Sequence, residues 1–293
     1  MGVQSVKAKP NFLVIGAAKS GTTSLCYGLS RHAEVFITDP KEPHFFSAHY
    51  DRGWDWYASL FSEGDSCKAR GEGSVSYTME SHQPDVARRI ARDLPDARLI
   101  YIVRHPLRRI ESGWRHKLRS NRTRLGLSES VEKFPGLIST SLYWRQISYY
   151  RDFFPDERIH VAFFEDFVED QEAVLRDCWR FLGVDPDVRL KAAPEARNVS
   201  DGMWAGPVAT ALRRIPLVRK LRPPAWAVKM LRKVLYRRLR EEERNPEWTS
   251  GASQKAMEMI EPDAAQFLRF CGKPPDFWRF GETEVVDEQA ARP

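Results

Sequence analysis

The stretch Asn11–His32, NFLVIGAAKSGTTSLCYGLSRH, decides the fold. It opens with the apolar run Asn11–Ile15, which ends at Gly16, and continues through the loop AAKSG into TTSLCYGLSRH, whose apolar spacing suits a helix. This order predicts a buried strand, a tight loop and a helix. Backbone N–H groups between a strand and a helix N-terminus can hold a phosphate, so the loop predicts a nucleotide-binding site.

Two further apolar runs repeat this pattern. Leu99–Val103 ends at Arg104 and is followed by Pro106, a residue favoured in a first helical turn, so a helix is expected over Leu107–Ser120. A third strand fits Ile159–Phe164. Unbroken apolar strands that each lead into a helix indicate an α/β fold with a P-loop-like central parallel β-sheet flanked by helices.

The rest of the chain predicts one domain. Further helices are expected near Pro84–Arg92, Ser141–Phe154, Val168–Leu182 (with a stop at Gly183) and Ser253–Phe270. The sequence contains no internal repeat and no low-complexity tract. We therefore expect a single domain over residues 1–293, with a variable basic helical insertion or lid at about residues 200–250.

The composition excludes several classes of protein. With 42% hydrophobic and 29% charged residues, the chain is neither disordered nor collagen-like. Its four cysteines lie far apart without a CxxC pair, which argues against a zinc cluster or a redox dithiol. No apolar run approaches the roughly 20 residues of a spanning helix, and the first ten residues lack the apolar core of a signal peptide. The sequence therefore predicts a cytoplasmic protein.

Positive charge is concentrated in one segment, Arg213–Arg244. It holds twelve Lys or Arg against three Glu, a net +9 in a chain of +6, which leaves −3 for the remainder. A nucleic-acid-binding protein would spread positive charge over its folded face, so no nucleic-acid partner is expected. Four interpretations stay open: contact with an anionic membrane surface, recognition of a polyanionic or lipid-linked acceptor, a lid, or a helical pair with solvated charges.

The phosphate-binding loop departs from the pattern of ATP sites. The Walker pattern GxxxxGK[ST] matches at Gly16 and Gly21, but it demands Lys where this chain has Thr22, and the loop lysine comes earlier, at Lys19. The second strand ends in Arg104 instead of an Asp that would organise magnesium. A guanidinium at that position favours a second phosphate over a metal ion.

These motifs resemble the sulfotransferases that use 3′-phosphoadenosine 5′-phosphosulfate (PAPS). AAKSGTTSL resembles their 5′-phosphosulfate loop, and RHPLRRIESGWRH resembles their 3′-phosphate motif, with an Arg-to-Ser offset of eight. KEPHFF, GWDWYASLF and GEGSVSY are similar to the bacterial and heparan-sulfate-type branch. The similarity covers about Asn11–Val184, returns near Cys271–Trp278 and fades across the basic segment.

The resemblance implies a donor site without a metal ion. PAPS would be the donor and 3′-phosphoadenosine 5′-phosphate (PAP) the product, with Lys19 stabilising the leaving nucleotide. The implied nucleotide-binding residues are Ala18, Lys19, Ser20, Gly21, Thr22, Thr23, Ser24, Arg104, Ser112 and Arg197.

The resemblance also implies which residues move the acceptor proton. Glu42 in KEPHFF is the implied base, and His44 in the same motif is a competing base. His116 lies four residues after Ser112, one helical turn on, so both side chains share a face. His116 is expected to assist the proton transfer or to stabilise the sulfuryl group.

Two further residues are assigned to the acceptor side. Glu72 and Tyr77 in GEGSVSY are expected to shape the acceptor site, and Glu72 has a second interpretation as a partner of Lys19 or Arg104.

The predicted function is sulfuryl transfer to a hydroxyl or amine of a carbohydrate, lipid or natural-product acceptor. The alternatives are a non-catalytic nucleotide-binding P-loop protein and a divergent small-molecule kinase. Expected partners are a small-molecule, glycan or lipid-linked acceptor and, through the basic segment, the surface of a membrane.

Overall fold

The computed structural model describes residues 9–187, 246 and 248–280. Arg197 and the basic segment Arg213–Arg244 lie outside the described residues, as does nearly all of the insertion predicted at about residues 200–250.

The contacts divide the chain into two units. The described residues of the first unit are 9–110, 135–187 and 255–280. Those of the second are 111–134, 246 and 248–254, and within this unit Trp114 Nε1 donates a hydrogen bond to the Leu125 carbonyl oxygen (3.0 Å). The expectation of a single domain over residues 1–293 stays a prediction.

A parallel sheet forms the centre of the first unit. Its strands are β1 (Phe12–Gly16), β2 (Val35–Ile37), β3 (Ala69–Glu72), β4 (Arg98–Val103) and β5 (Ile159–Phe163). Their order is β2-β3-β1-β4-β5, and every neighbouring pair is parallel. The predicted α/β fold with a parallel sheet is therefore confirmed. β1, β4 and β5 correspond to the three predicted strands. β2 and β3 were not predicted, and the residues ARGE of β3 form no apolar run.

The described residues also form α-helices. They are α1 (Thr22–Ser30), α2 (Phe45–Ala48), α3 (Gly53–Ser59), α4 (Asp85–Asp93), α5 (Pro106–Arg119), α6 (Leu127–Lys133), α7 (Gly136–Ser139), α8 (Tyr143–Arg151), α9 (Phe164–Glu169), α10 (Gln171–Leu182) and α11 (Ser250–Phe270). Short 3₁₀ helices lie at Tyr50–Arg52, Ser62–Gly64, Val75–Thr78, Glu80–His82 and Asp156–Arg158. Within the described ranges, every helix is too short or too polar to cross a bilayer.

Both faces of the sheet are buried, which explains why its central strands are continuously apolar. Successive side chains of a strand point to opposite faces. On β4, Ile100 lies in the core cluster that includes Leu25 of α1 and Leu175 of α10. Its neighbour Tyr101 instead lies with its ring centroid 6.1 Å from that of Tyr143, on α8.

The strand order creates a switch point between β1 and β4. The chain leaves β1 through α1 toward β2 on one side of the sheet, and leaves β4 toward β5 on the other side. In open α/β sheets, ligands bind in the crevice outside the carboxyl ends of the strands at such a point. Residues 17–21 follow β1 and Arg104 follows β4, so the fold brings both predicted phosphate-binding motifs to this edge.

One helix prediction was wrong. Val168–Leu182 is not one helix, because α9 ends at Glu169 and α10 begins at Gln171. Asp170 breaks the helix: its φ of −142° and ψ of 87° are not helical, and its carboxylate accepts the Ala173 N–H at 2.9 Å. An aspartate at the N-cap satisfies an amide that would otherwise lack a partner, which outweighs the continuous apolar spacing.

Removal of this cap should destabilise the protein. We expect Asp170→Ala to lower the free energy of unfolding by about 1 kcal/mol, because the Ala173 N–H loses its side-chain acceptor. Asp170→Asn keeps an acceptor oxygen and should stay close to the wild type. Urea unfolding of the three proteins measures the difference, and equal midpoints for all three would contradict the capping role.

Candidate active site

The loop after β1 has a tightly constrained backbone. The Ala17 N–H donates to the Ile102 carbonyl oxygen (2.6 Å), which attaches the loop to β4. Lys19 and Gly21 both have left-handed backbone conformations, with φ of 71° and 92°. A Cβ at position 21 would lie 2.7 Å from the Phe164 ring, so this position requires glycine for both conformation and space.

Among the described residues, no side chain caps the N-terminus of α1. Gly21, the N-cap residue, provides no side-chain acceptor, and the first turn contains no acidic residue. Uncapped amides and the positive end of the helix dipole favour a bound phosphate there. In this loop Ser20 and Thr22 are buried, Ala18 and Gly21 are half-buried, and Lys19, Thr23 and Ser24 are exposed.

The end of β4 places a guanidinium beside the same aromatic ring. The Arg104 guanidinium carbon lies 4.7 Å from the ring centroid of Phe164, the residue whose ring also borders Gly21. The Tyr143 hydroxyl donates to the Arg104 carbonyl oxygen (2.7 Å), and Glu165 Oε1 accepts the His105 N–H (2.7 Å). The structure therefore brings the predicted loop and the predicted arginine together around one ring.

Phe164 was not among the predicted site residues. Its position at the end of the third apolar run could have indicated that it lies near Arg104, because the carboxyl ends of neighbouring parallel strands lie at one edge of the sheet.

Ser112 and His116 lie one turn apart on α5, as predicted. Both are half-buried and belong to the second unit, where the His116 carbonyl oxygen accepts the Ser120 hydroxyl (2.8 Å). The phosphate site that pairs Arg104 with Ser112 stays a prediction, as do the role of His116 and that of Arg197.

The KEPHFF motif forms a polar cluster between β2 and α2. Glu42 Oε1 lies 2.8 Å from Lys41 Nζ, and Glu42 Oε2 lies 3.6 Å from His44 Nε2. His44 Nδ1 lies 2.8 Å from Ser76 Oγ, and its backbone N–H donates to Ser74 Oγ (2.9 Å). Burial is the main cause that lowers the pKa of His44 below its ordinary value, which favours the neutral imidazole. The structure thus brings together the two predicted bases, Glu42 and His44.

Glu72 and Tyr77 are buried beneath this cluster. Glu72 Oε1 accepts hydrogen bonds from the hydroxyls of Tyr77 (2.5 Å) and Tyr57 (3.2 Å). Burial raises the pKa of Glu72 to about 7. Because both residues are inaccessible to solvent, they would act on an acceptor through neighbouring side chains rather than by contact. Their predicted roles toward the acceptor, and that of Glu72 toward Lys19 or Arg104, stay predictions.

Within the described part of the chain, no group of three or more His, Cys, Asp or Glu side chains is arranged to hold a metal ion. The four cysteines are free thiols.

Glu72 should make stability depend on pH. Its folded-state pKa of about 7 lies above the ordinary 4.5, so the folded state binds this proton more tightly than the unfolded state. The stabilisation is fully present below pH 4.5 and is lost as the pH rises through 7. Between these values we expect the unfolding free energy of the wild type to fall by up to about 3 kcal/mol relative to Glu72→Gln.

Urea unfolding across this pH range tests the expectation. Glu63→Gln, at an exposed position, is the matched control and should follow the wild type. Wild-type and Glu72→Gln curves that stay parallel with pH would show that Glu72 does not carry the effect.

The fold defines an α/β protein with a glycine-containing loop and the N-terminus of α1 at the switch point of its sheet. Residues 9–197 match the sulfotransferase domain family. Because this match covers more than half of the chain, the protein belongs to that family.

Individual relatives agree with this assignment. The crystal structure of a sulfotransferase from Alicyclobacillus acidocaldarius is 26% identical, with a TM-score of 0.67 over 93% of this chain and 99% of that one. Human heparan sulfate glucosamine 3-O-sulfotransferase 6 is 29% identical over 60% of this chain and 52% of its own length. The membrane-associated sulfotransferase kil1 of Dictyostelium discoideum is 38% identical over 34% of this chain and 21% of its own. The chain thus spans about half or less of these two curated relatives.

Proposed function

We propose that this protein transfers the sulfuryl group of PAPS to a hydroxyl or amine of a carbohydrate, lipid or natural-product acceptor. The observation that carries the proposal is the pairing of the uncapped N-terminus of α1 at Gly21 with the Arg104 guanidinium, both against the ring of Phe164. PAPS has a 5′-phosphosulfate and a 3′-phosphate, so a donor site needs two anion-binding groups. Membership of the sulfotransferase family supports the assignment.

The loop would bind the 5′ end of the donor. The amides that follow Gly21, with the hydroxyls of Thr22 and Thr23, would hold the 5′-phosphate. Lys19, exposed at a left-handed position of the loop, would neutralise the leaving oxygen, so the proposal includes no metal ion. Arg104 would bind the 3′-phosphate through its planar guanidinium.

The reaction is a displacement at sulfur. The acceptor oxygen or nitrogen forms a bond to sulfur while its proton passes to the carboxylate of Glu42. The bond from sulfur to the bridging oxygen breaks, and its electron pair stays on the 5′-phosphate of PAP, beside Lys19. Glu42 suits this role because its side chain is 29% exposed, which leaves it open to an acceptor. His44 is the competing base, and His116 would assist.

A carbohydrate is the acceptor that the comparisons favour. One relative is named a heparan sulfate glucosamine 3-O-sulfotransferase, and its similarity to this chain extends over 184 residues. A cytoplasmic location and a membrane contact of the basic segment belong to the proposal as well and rest on the sequence pattern alone.

Nucleotide binding is the first test. We expect PAP to bind without magnesium, and Lys19→Ala and Arg104→Ala each to weaken binding by about 10- to 100-fold, because each removes a charge-assisted hydrogen bond to a phosphate. Titration calorimetry of the protein with PAP, and separately with ATP and magnesium, distinguishes a sulfotransferase from a kinase. A preference for ATP with magnesium would favour a kinase, and no binding of PAP by the folded wild type would reject the sulfotransferase proposal.

Substitution of the base tests the chemical step. We expect Glu42→Gln to lower kcat by about 10² to 10⁴ while the affinity for PAP stays unchanged, because the acceptor proton loses its carboxylate. The readout is sulfate transfer from labelled PAPS to a panel of glycan, lipid and phenolic acceptors.

Two further variants complete this test. Glu63→Gln, at an exposed position, should keep full activity. A larger loss of kcat in His44→Gln than in Glu42→Gln would indicate that His44 is the base. A wild type that binds PAP but sulfates no acceptor would favour the non-catalytic alternative.

A further inference from the structure

Lys41 lies between the donor loop and the proposed base. Its ammonium is 2.8 Å from Glu42 Oε1 and donates to the Gly73 carbonyl oxygen (2.9 Å). A longer hydrogen bond of 3.5 Å reaches Thr22 Oγ1, in the first turn of α1. An ammonium has three N–H donors, and these three acceptors account for all of them.

The backbone also holds Lys41 at this place. The Gly73 N–H donates to the Lys41 carbonyl oxygen (2.9 Å), so main chain and side chain of Lys41 both bond to the residue after β3. A Cβ at position 73 would lie 2.6 Å from Cys26 Sγ and 3.4 Å from Lys41 Nζ. The Cys26 thiol therefore requires glycine at position 73, and the Lys41 ammonium lies in van der Waals range of the same position.

The first consequence concerns the Thr22 hydroxyl. A hydroxyl has one donor and two acceptor sites, whereas an ammonium can only donate. Because Thr22 Oγ1 accepts from Lys41, its own proton remains for another acceptor. At the N-terminus of α1, that acceptor would be an oxygen of the bound phosphate.

The second consequence concerns Glu42. The ion pair with Lys41 fixes Oε1, while Oε2 lies 3.6 Å from His44 Nε2. The contacts at both oxygens limit the rotation of the carboxylate. Lys41 would thus orient the oxygen that takes the acceptor proton.

We propose that Lys41 is a positioning residue for sulfuryl transfer. Lys41 orients the Thr22 hydroxyl to donate a hydrogen bond to the nucleotide, and it holds the Glu42 carboxylate toward the acceptor. The proposal rests on the proposed function, because it takes the ligand at Thr22 to be the donor nucleotide. A purely structural ion pair would stabilise the fold but would not couple Lys41 to nucleotide binding.

A double-mutant cycle distinguishes the two roles. The variants are Lys41→Met, which keeps a long side chain without the charge, Thr22→Val, and the two combined. Lys68→Met is the matched control, because Lys68 is exposed just before β3. Calorimetry with PAP gives the affinity, turnover of PAPS gives kcat and KM, and thermal unfolding reports on the fold.

We expect Lys41→Met and Thr22→Val each to weaken PAP binding by about tenfold. The double variant should also bind PAP about tenfold more weakly than the wild type, and not about 100-fold, because both substitutions remove the same contact. In Lys41→Met, kcat should fall by about 100-fold with little change in the acceptor KM, since a misplaced base slows the chemistry more than binding. Lys68→Met should match the wild type.

Additive losses of PAP affinity in the cycle would overturn the role of Lys41, and so would a kcat for Lys41→Met equal to that of Lys68→Met. In either case, PAP binding by the wild type would still uphold the proposed function. Failure of the wild type to bind PAP would overturn both. If Lys41→Met does not fold, Lys41→Gln, which keeps a donor without the charge, is judged by the same criteria.

Discussion

The parallel pairing of β1 with β4 is the constraint on which the proposed site depends. Leu13 lies opposite Leu99 and Val14 opposite Ile100 in this pair, and all four side chains are fully buried. Burial of these side chains on two faces of the sheet stabilises the pair, and pairing in parallel places both carboxyl ends at one edge. The loop after β1 and the arginine after β4 become neighbours for this reason, although they are far apart in sequence.

The parts of the fold that could be predicted from sequence are those whose cause is local. The apolar runs of β1, β4 and β5 and the Gly-containing loop are contiguous patterns, and they led to the correct class of sheet without β2 and β3. β3 could not be recognised, because Gly71 and Glu72 are buried only through partners elsewhere, such as the hydroxyl of Tyr77. The break at Asp170 was hidden because apolar spacing continues across it, and only the cap geometry reveals it.

The same distinction holds for the candidate site. Glu42 and His44 stand in one short motif, so their proximity could be anticipated. The contact of Lys41 with Gly73 and that of Phe164 with Arg104 join residues that only the folded sheet brings together. A sequence motif can suggest which residue types take part in the chemistry, whereas the fold decides which side chains orient them.

The ring of Phe164 borders both Gly21 and Arg104, and this shared contact restricts how the site can diverge. A smaller residue at position 164 would make space for a side chain at position 21, but it would also remove the aromatic face beneath the guanidinium. Conversely, a larger residue at position 21 would displace the ring and the arginine with it. Positions 21 and 164 are thus expected to change together among descendants of this chain, and the spacing between the loop and Arg104 should be among its slowest features to evolve.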